Sequence, residues 1–233
     1  MGKIVAFVHA KGTSERVPSK NLRLLGDKPL FYYAIRNSLA SSLIDEVVID
    51  SDSDKILELG VSYGATALKR PDKLATNLAT GDDLAYWQAS NRPNSQIVLQ
   101  VIPTAPFLKP ASIDNAIKTL LDNNVDSVVG VAKEALYIWE NNKPAYYVDG
   151  KIPNSKDLTP ILSETTGLYI NKTDSVLRNK KRLNPESCMS YILSKIESVD
   201  INTEEDFEFA ELLMDGFKWR ECSKNKAGLL NAK

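Results

Sequence analysis

The chain has 233 residues, with 29 basic against 30 acidic side chains and a formal net charge of -1. Its 43% hydrophobic and 25% charged content excludes disorder as the main state, and the balanced charge argues against a generic nucleic-acid or anionic-membrane binder. A chain of this length buries roughly 70% of its unfolded surface, which requires neither disulfides nor a structural metal.

The first element is K-I-V-A-F-V-H-A, an apolar run rich in β-branched residues and closed by a Gly/Ser/Pro segment. That is the pattern of a fully buried parallel strand. Pro29 then opens a helix at its first position, with Leu30, Tyr33, Ala34, Asn37 and Ser38 on one side. E-V-V-I-D-S-D follows as a strand ending in acids, then a helix from about Lys55 to Tyr63 stopped by Gly64. Asp82 and Asp83 mark a helix start favoured by the dipole. Gln96–Ile102 reads as a strand, Ser112–Asn123 as a helix and Asp126–Ala132 as a strand. Repeated strand–helix–strand units predict right-handed crossovers and an α/β fold with a mainly parallel, Rossmann-like sheet.

Residues 136–166 break this rhythm with Tyr, Asn, Lys and Pro, and Asp149–Gly150 is a hairpin signal. The segment reads as an inserted β-hairpin arm, and Tyr146 and Tyr147 are candidates for packing on a second subunit. Gly167–Asn171 resumes as a strand. Thr203–Asp215 is a helix with Thr203 as cap and Asp206 in the box position. One domain over 1–215 and a fraying tail over 216–233 are expected.

Cys188 and Cys222 lack CxxC spacing and read as free thiols of a reducing compartment. His9 is the single histidine and cannot supply a His-rich metal site. The apolar run at the start has no cleavage site and falls short of the ~20 residues of a membrane span. A cytoplasmic protein with neither membrane nor nucleic-acid partners is expected. The basic run Lys180–Arg182 reads as a solvated loop, and Trp87, Trp139 and Trp219 as packing or interface residues.

The segment that carries chemistry is H-A-K-G-T-S-E-R-V-P-S-K-N, residues 9–21, directly after the first strand. Ligands of parallel α/β sheets bind beyond the carboxyl ends of strands. Gly12, Thr13 and Ser14 allow backbone N–H groups to approach an anion, while Lys11, Arg16 and Lys20 bring positive charge. The segment is neither a Walker A loop nor GxGxxG.

From Ala10 the stretch A-K-G-T-S-E-R-V-P-S-K-N resembles the A-R-G-G-S-K-x-I-P-x-K-N signature of the acylneuraminate cytidylyltransferase family, which activates acidic sugars. Ala10, Gly12, Ser14, Pro18, Lys20 and Asn21 match; Lys11 replaces an arginine, Thr13 a glycine and Glu15 a lysine. The resemblance continues in order through L-G-D-K-P-L, V-V-I-D-S-D with Asp52 at its final acid, the Arg70–Pro71 pair, and P-T-A-P-F-L at 103–108. K-D-L-T-P-I-L-S-E-T-T-G-L-Y-I and V-D-I-N-T-E-E-D-F complete it, so that it spans residues about 3–213.

The resemblance implies a fold of nucleotide-diphospho-sugar-transferase type, and an enzyme that transfers CMP from CTP to a 2-keto sugar acid with release of pyrophosphate. It implies catalytic roles for Lys20, Lys11 and Asp200, and CTP contacts from Ala10, Gly12, Thr13, Ser14, Asn21, Asp52 and Arg70. Gln100 and Thr104 fall to the sugar, and Mg²⁺ to Asp200 and Asn202, where the family has D-x-D. The implied acceptor is a nonulosonate such as a sialic, legionaminic or pseudaminic acid, and the implied assembly a homodimer joined through the arm. Three departures leave alternatives open. Asn202 offers a carbonyl oxygen without charge, and its other reading is a turn residue. Gln100 stands two residues before the family's glutamine, on the same strand face but deeper. Glu15 reverses a charge in the loop. The alternatives are another acidic acceptor, an octulosonate or a phosphonate, and a nucleotide-binding relative whose catalysis has decayed.

Overall fold

The computed structural model describes residues 2–145 and 151–230. The amino-terminal half contains β1 (Ile4–His9), the two-residue strands β2 (Leu24–Leu25) and β3 (Lys28–Pro29), and α1 (Leu30–Leu39). It continues with β4 (Glu46–Ser51), α2 (Asp54–Ser62), β5 (Thr66–Lys69), α3 (Gly81–Ser90), β6 (Ile97–Val101) and α4 (Pro110–Asn123). Next come β7 (Ser127–Glu134), the short pair β8 (Trp139–Glu140) and β9 (Lys143–Pro144), and the long β10 (Ile161–Lys172). The chain ends in α5 (Thr173–Asn179), β11 (Cys188–Ile192) and α6 (Glu204–Leu230). No described helix is long and apolar enough to cross a membrane.

Seven strands form one sheet in the order β11-β7-β10-β6-β1-β4-β5. All neighbours run parallel except β10, which is antiparallel to both β6 and β7. The sheet is covered on both faces, which explains the unbroken apolar run of β1. Ile4, Ala6 and Val8 join the larger core with α1, α2 and α4, while Val5 and Phe7 pack against Ala85 and Ala89 of α3 and Val176 of α5.

Several elements differ from the sequence expectation for identifiable reasons. Pro29 is the N-cap of α1, with ψ 148°, rather than its first helical residue, because it pairs with Leu24 and stays extended. Its φ suits either position, so ψ decides. The two strands without an apolar run, β5 and β11, are the two edges of the sheet, where one side of the strand has no neighbour and polar residues are tolerated. The strand expected over Gly167–Asn171 begins at Ile161. Residues 161–164 pair with β7 alone, so their exposed polar pattern reads as loop. The arm expected over 136–166 therefore ends near 160. Its described hairpin turns at Asn141 and Asn142, both at positive φ as a two-residue hairpin favours. Asp149–Gly150, Tyr146 and Tyr147 lie outside the described residues.

The amino-terminal box of α6 forms as expected: Asp206 N–H donates to Thr203 Oγ1 at 3.2 Å and Thr203 N–H to Asp206 Oδ2 at 2.8 Å. The helix then runs on to Leu230, beyond the expected end at Asp215, and Phe217 packs edge-on against Phe107. Its first turns matter most to the site. Phe207, Ala210 and Ile201 form a small core with Val17, Leu25, Leu30 and Tyr33, pinning the 200–202 segment against the loop after β1.

Candidate active site

The carboxyl ends of β1, β4, β5 and β6 point to one side, and their following loops gather around a cleft of about 440 Å³. Lys11, Thr13, Ser14, Lys20, Asn21, Arg70 and Thr104, all expected at the site, line it together with His9, Arg16 and Asn77.

The loop after β1 is held by its neighbours rather than by regular structure. Ala10 is fully buried and its N–H donates to Asp50 O at 2.9 Å. Gly12 N–H donates to Asp52 Oδ1 at 2.8 Å, so Asp52 anchors the loop. A side chain at Gly12 would bring a Cβ to 2.9 Å from Ser53 Cβ, so only glycine permits this approach. Asn21 donates its amide to Lys11 O at 2.8 Å and closes the loop's far end. With Gly12 engaged, the amides of Thr13 and Ser14 are among the loop N–H groups without a partner among the described residues.

Asn77 is a cleft residue that the motifs do not signal. Its carbonyl accepts from Lys11 Nζ at 2.7 Å and its amide donates to Glu15 Oε1. The charge reversal at Glu15 is thereby turned toward the 76–79 segment. One asparagine ties two of the three departures from the family signature, Lys11 and Glu15, to the opposite wall.

Across the cleft, Lys20 Nζ donates to Ile201 O at 2.8 Å, beside the acidic corner. Burial holds the Lys20 ammonium below its ordinary value; the Asp200 carboxylate opposes this, Arg16 adds to it, and Asp206 opposes it. Asp200 Oδ2 accepts from Asn202 Nδ2 at 2.5 Å and from Thr166 Oγ1 at 2.9 Å. Asp200 Oδ1 is buried without a partner. Asn202 Oδ1 accepts from Arg16 at 3.0 Å, so the amide that stands in the D-x-D pattern is engaged on both sides.

A buried polar chain supports the floor. Asp50 is fully buried; its Oδ1 accepts from Arg70 Nε at 2.7 Å and its Oδ2 from Gln88 Nε2 at 2.7 Å. Gln88 Oε1 in turn accepts from Gln100 Nε2 at 2.9 Å. Burial raises the Asp50 carboxyl above its ordinary value, while Arg70 and Gln88 pull it back. Gln100 is 3% exposed and does not line the main cleft, but its Oε1 is left without a partner. His9 beside it has an unpartnered Nδ1 and stays neutral, its pKa lowered to about 3 by burial first and then by Arg70 and Arg182.

Sequence reasoning missed Asn77, Gln88, Thr166, Tyr169 and Arg182. Arg182 corrects the reading of Lys180–Arg182 as a solvated run, because its guanidinium lies 4.0 Å from the centre of the Tyr169 ring. The register signal was available for Tyr169 alone: it pairs directly with Gln100 and so faces the same side.

A cation-bearing loop with free amides at the end of a parallel strand, with an acid beside its lysine, defines an α/β protein built to hold a nucleotide polyphosphate. A cytidylyltransferase family model matches residues 5–218, and the chain belongs to that family. It is 31% identical over 227 residues to CMP-N,N'-diacetyllegionaminic acid synthase of Legionella pneumophila, covering 91% of this chain and 97% of the relative. It is 28% identical over 225 residues to the pseudaminic acid cytidylyltransferase of Campylobacter jejuni, covering 91% and 96%. Among solved structures it resembles CMP:2-keto-3-deoxy-manno-octonic acid synthetase complexed with CTP, with TM-score 0.70 and 15% identity over 92% of this chain and 99% of that one. The 4-diphosphocytidyl-2C-methyl-D-erythritol synthase of Anaerococcus prevotii gives TM-score 0.66 at 16% identity, over 92% and 96%. At such identities the structural likeness shows the fold.

Proposed function

We propose that this cytidylyltransferase transfers CMP from CTP to an acidic 2-keto sugar of the nonulosonate class. The observation that carries the reading is the convergence of Lys11, Lys20 and the free amides of Thr13 and Ser14 on one cleft, with Asp200 next to the Ile201 carbonyl that holds Lys20. The relatives named for pseudaminic and legionaminic acids, matched over nine-tenths of the chain, support the acceptor class. In the reaction the anomeric hydroxyl oxygen bonds to the α-phosphorus, the bond to the β-phosphate oxygen breaks, and pyrophosphate and the hydroxyl proton are released. The protein's part is positioning and neutralisation of phosphate charge. Lys20 and the loop amides bind the phosphates, Lys11 adds charge at the outer wall, and Thr104 faces the acceptor, with Gln100 buried behind the cleft wall.

The acidic corner fits a divalent cation. Asp200 Oδ1 is a buried carboxylate oxygen without a partner, which a cation would satisfy. Among the described residues no group of three or more His, Cys, Asp or Glu could hold a metal unaided, so phosphate oxygens must complete the set, as suits Mg²⁺. Bound there, Mg²⁺ would neutralise triphosphate charge. Asn202→Asp is expected to lower the Mg²⁺ concentration needed for half-maximal rate severalfold, since a carboxylate replaces an amide beside Asp200. An unchanged metal requirement would make Asn202 a bystander. The exposed apolar side chains Leu136, Trp139 and Ile152 on the arm support pairing of two copies through it.

The test is pyrophosphate release from CTP and Mg²⁺ with a panel of nonulosonates, an octulosonate and a phosphonate. Release with a nonulosonate supports the reading; release with only an octulosonate or only a phosphonate overturns it. One observation favours a nucleotide-binding relative without turnover, namely that Arg16 already occupies the Asn202 carbonyl. A melting temperature raised by CTP with no pyrophosphate from any acceptor would establish that alternative.

A further inference from the structure

We propose that Arg182 is the residue that receives the carboxylate of the acceptor, an inference that rests on the sugar-acid reading above. Among the described residues no carboxylate pairs with its guanidinium. It is nevertheless not a loose surface cation. Its backbone N–H donates to Asp82 Oδ1 at 3.0 Å, and its guanidinium stacks over Tyr169. On the other side it lies against Gly81, where a Cβ would approach its Nη1 to 2.5 Å. A half-buried, stacked and unpaired guanidinium is a planar fork held ready for an anion, and a carboxylate fits such a fork with two parallel hydrogen bonds.

Its place is apart from Lys11 and Lys20: those line the cleft, whereas Arg182 does not and lies over Tyr169 of β10. Tyr169 pairs across the sheet with Gln100 of β6, and its hydroxyl donates to Glu164 Oε2 at 2.8 Å. Among the described residues the surroundings of Tyr169 thus hold the Arg182 guanidinium, with the Glu164 carboxylate already taken by the Tyr169 hydroxyl, and the buried atoms Gln100 Oε1 and His9 Nδ1 are without partners. A cation to receive a carboxylate and acceptors for hydroxyl donors are the complement of a polyhydroxy acid. In a 2-keto sugar acid the carboxylate is bonded to the anomeric carbon that carries the attacking hydroxyl. A residue that grips the carboxylate therefore also orients the nucleophile.

The experiment measures pyrophosphate release by the full chain with CTP, Mg²⁺ and the nonulosonate that the wild type uses, alongside the C1 methyl ester of that sugar. Arg182→Gln is expected to raise the acceptor KM roughly 10–100-fold, the scale of a lost hydrogen bond to a charged group, with the KM for CTP within about twofold. The wild type should prefer the acid to the ester, and Arg182→Gln should lose that preference, which a merely structural role would not produce. Arg182→Lys should recover part of it, through charge without the fork. Gly81→Ala displaces the guanidinium while leaving Arg182 in the chain. It is expected to reproduce the acceptor defect, and it keeps the test open should Arg182→Gln fail to fold. An unchanged acceptor KM with the acid-over-ester preference intact overturns the role of Arg182 alone. A wild type that uses no nonulosonate overturns the sugar reading, and this inference with it.

Discussion

Lys20→Ala is expected to lower kcat by about 10²–10³-fold, the usual effect of removing one charge-stabilising donor from a transition state. The protein should remain folded. Lys20 is held below its ordinary pKa by burial in the first place, so its ammonium is disfavoured in the fold, and stability from this group is gained as pH rises toward 10.5 and lost as pH falls through the lowered value. Removing the charge therefore relieves an electrostatic cost, against the loss of one hydrogen bond to Ile201 O. Pyrophosphate release measured beside a thermal melt distinguishes the two effects, and activity within fivefold of wild type would remove Lys20 from the mechanism. The same depression predicts the pH profile. kcat/KM for CTP, which reports the free enzyme, should fall on an alkaline limb below 10.5, and Lys20→Arg should move that limb upward.

Asp50→Ala is expected to destabilise the protein by about 3–5 kcal/mol, because it leaves Arg70 charged and buried without its partner. Side-chain exposure is 3% for Arg70 and 0% for Asp50, so solvent cannot substitute for the lost carboxylate. The loss spreads along the polar chain: Gln88 Nε2 loses its acceptor, and Gln100 hangs from Gln88. Denaturant unfolding should show a lower midpoint with an unchanged slope. A change under about 1 kcal/mol would mean that Arg70 finds another partner or that water enters. Asp50→Asn, which keeps the shape but not the charge, should fall between Asp50→Ala and wild type.

Much of the sheet was legible because the buried strands and the amphipathic helices carry their own signals. β1 is apolar at every position but one, and the face of α1 marked by Leu30, Tyr33, Ala34, Asn37 and Ser38 is buried, together with Phe31 and Ile35. The stop of α2 was legible as well, since Gly64 takes φ +99° there. The edge strands β5 and β11 and the outer half of β10 were not, because half-solvated strands need no apolar run. The extension of α6 beyond Asp215 was not legible because its mixed sequence, with Gly216 and Gly228, carries no periodic apolar pattern.

The sequence by itself determined the α/β alternation, the membership of the cytidylyltransferase family and the loop at 10–21, since each is written in local residue order. Only the tertiary structure decided what the side chains do there. It turned Asp52 onto Gly12 N–H, joined Lys11 to Glu15 through Asn77, set Arg16 on Asn202, and brought Arg182 onto Tyr169. These pairings join residues 13 to 186 positions apart, and no local pattern encodes them. They follow from strand register and from how the layers pack, which bring distant polar groups to within hydrogen-bonding or stacking distance of one another.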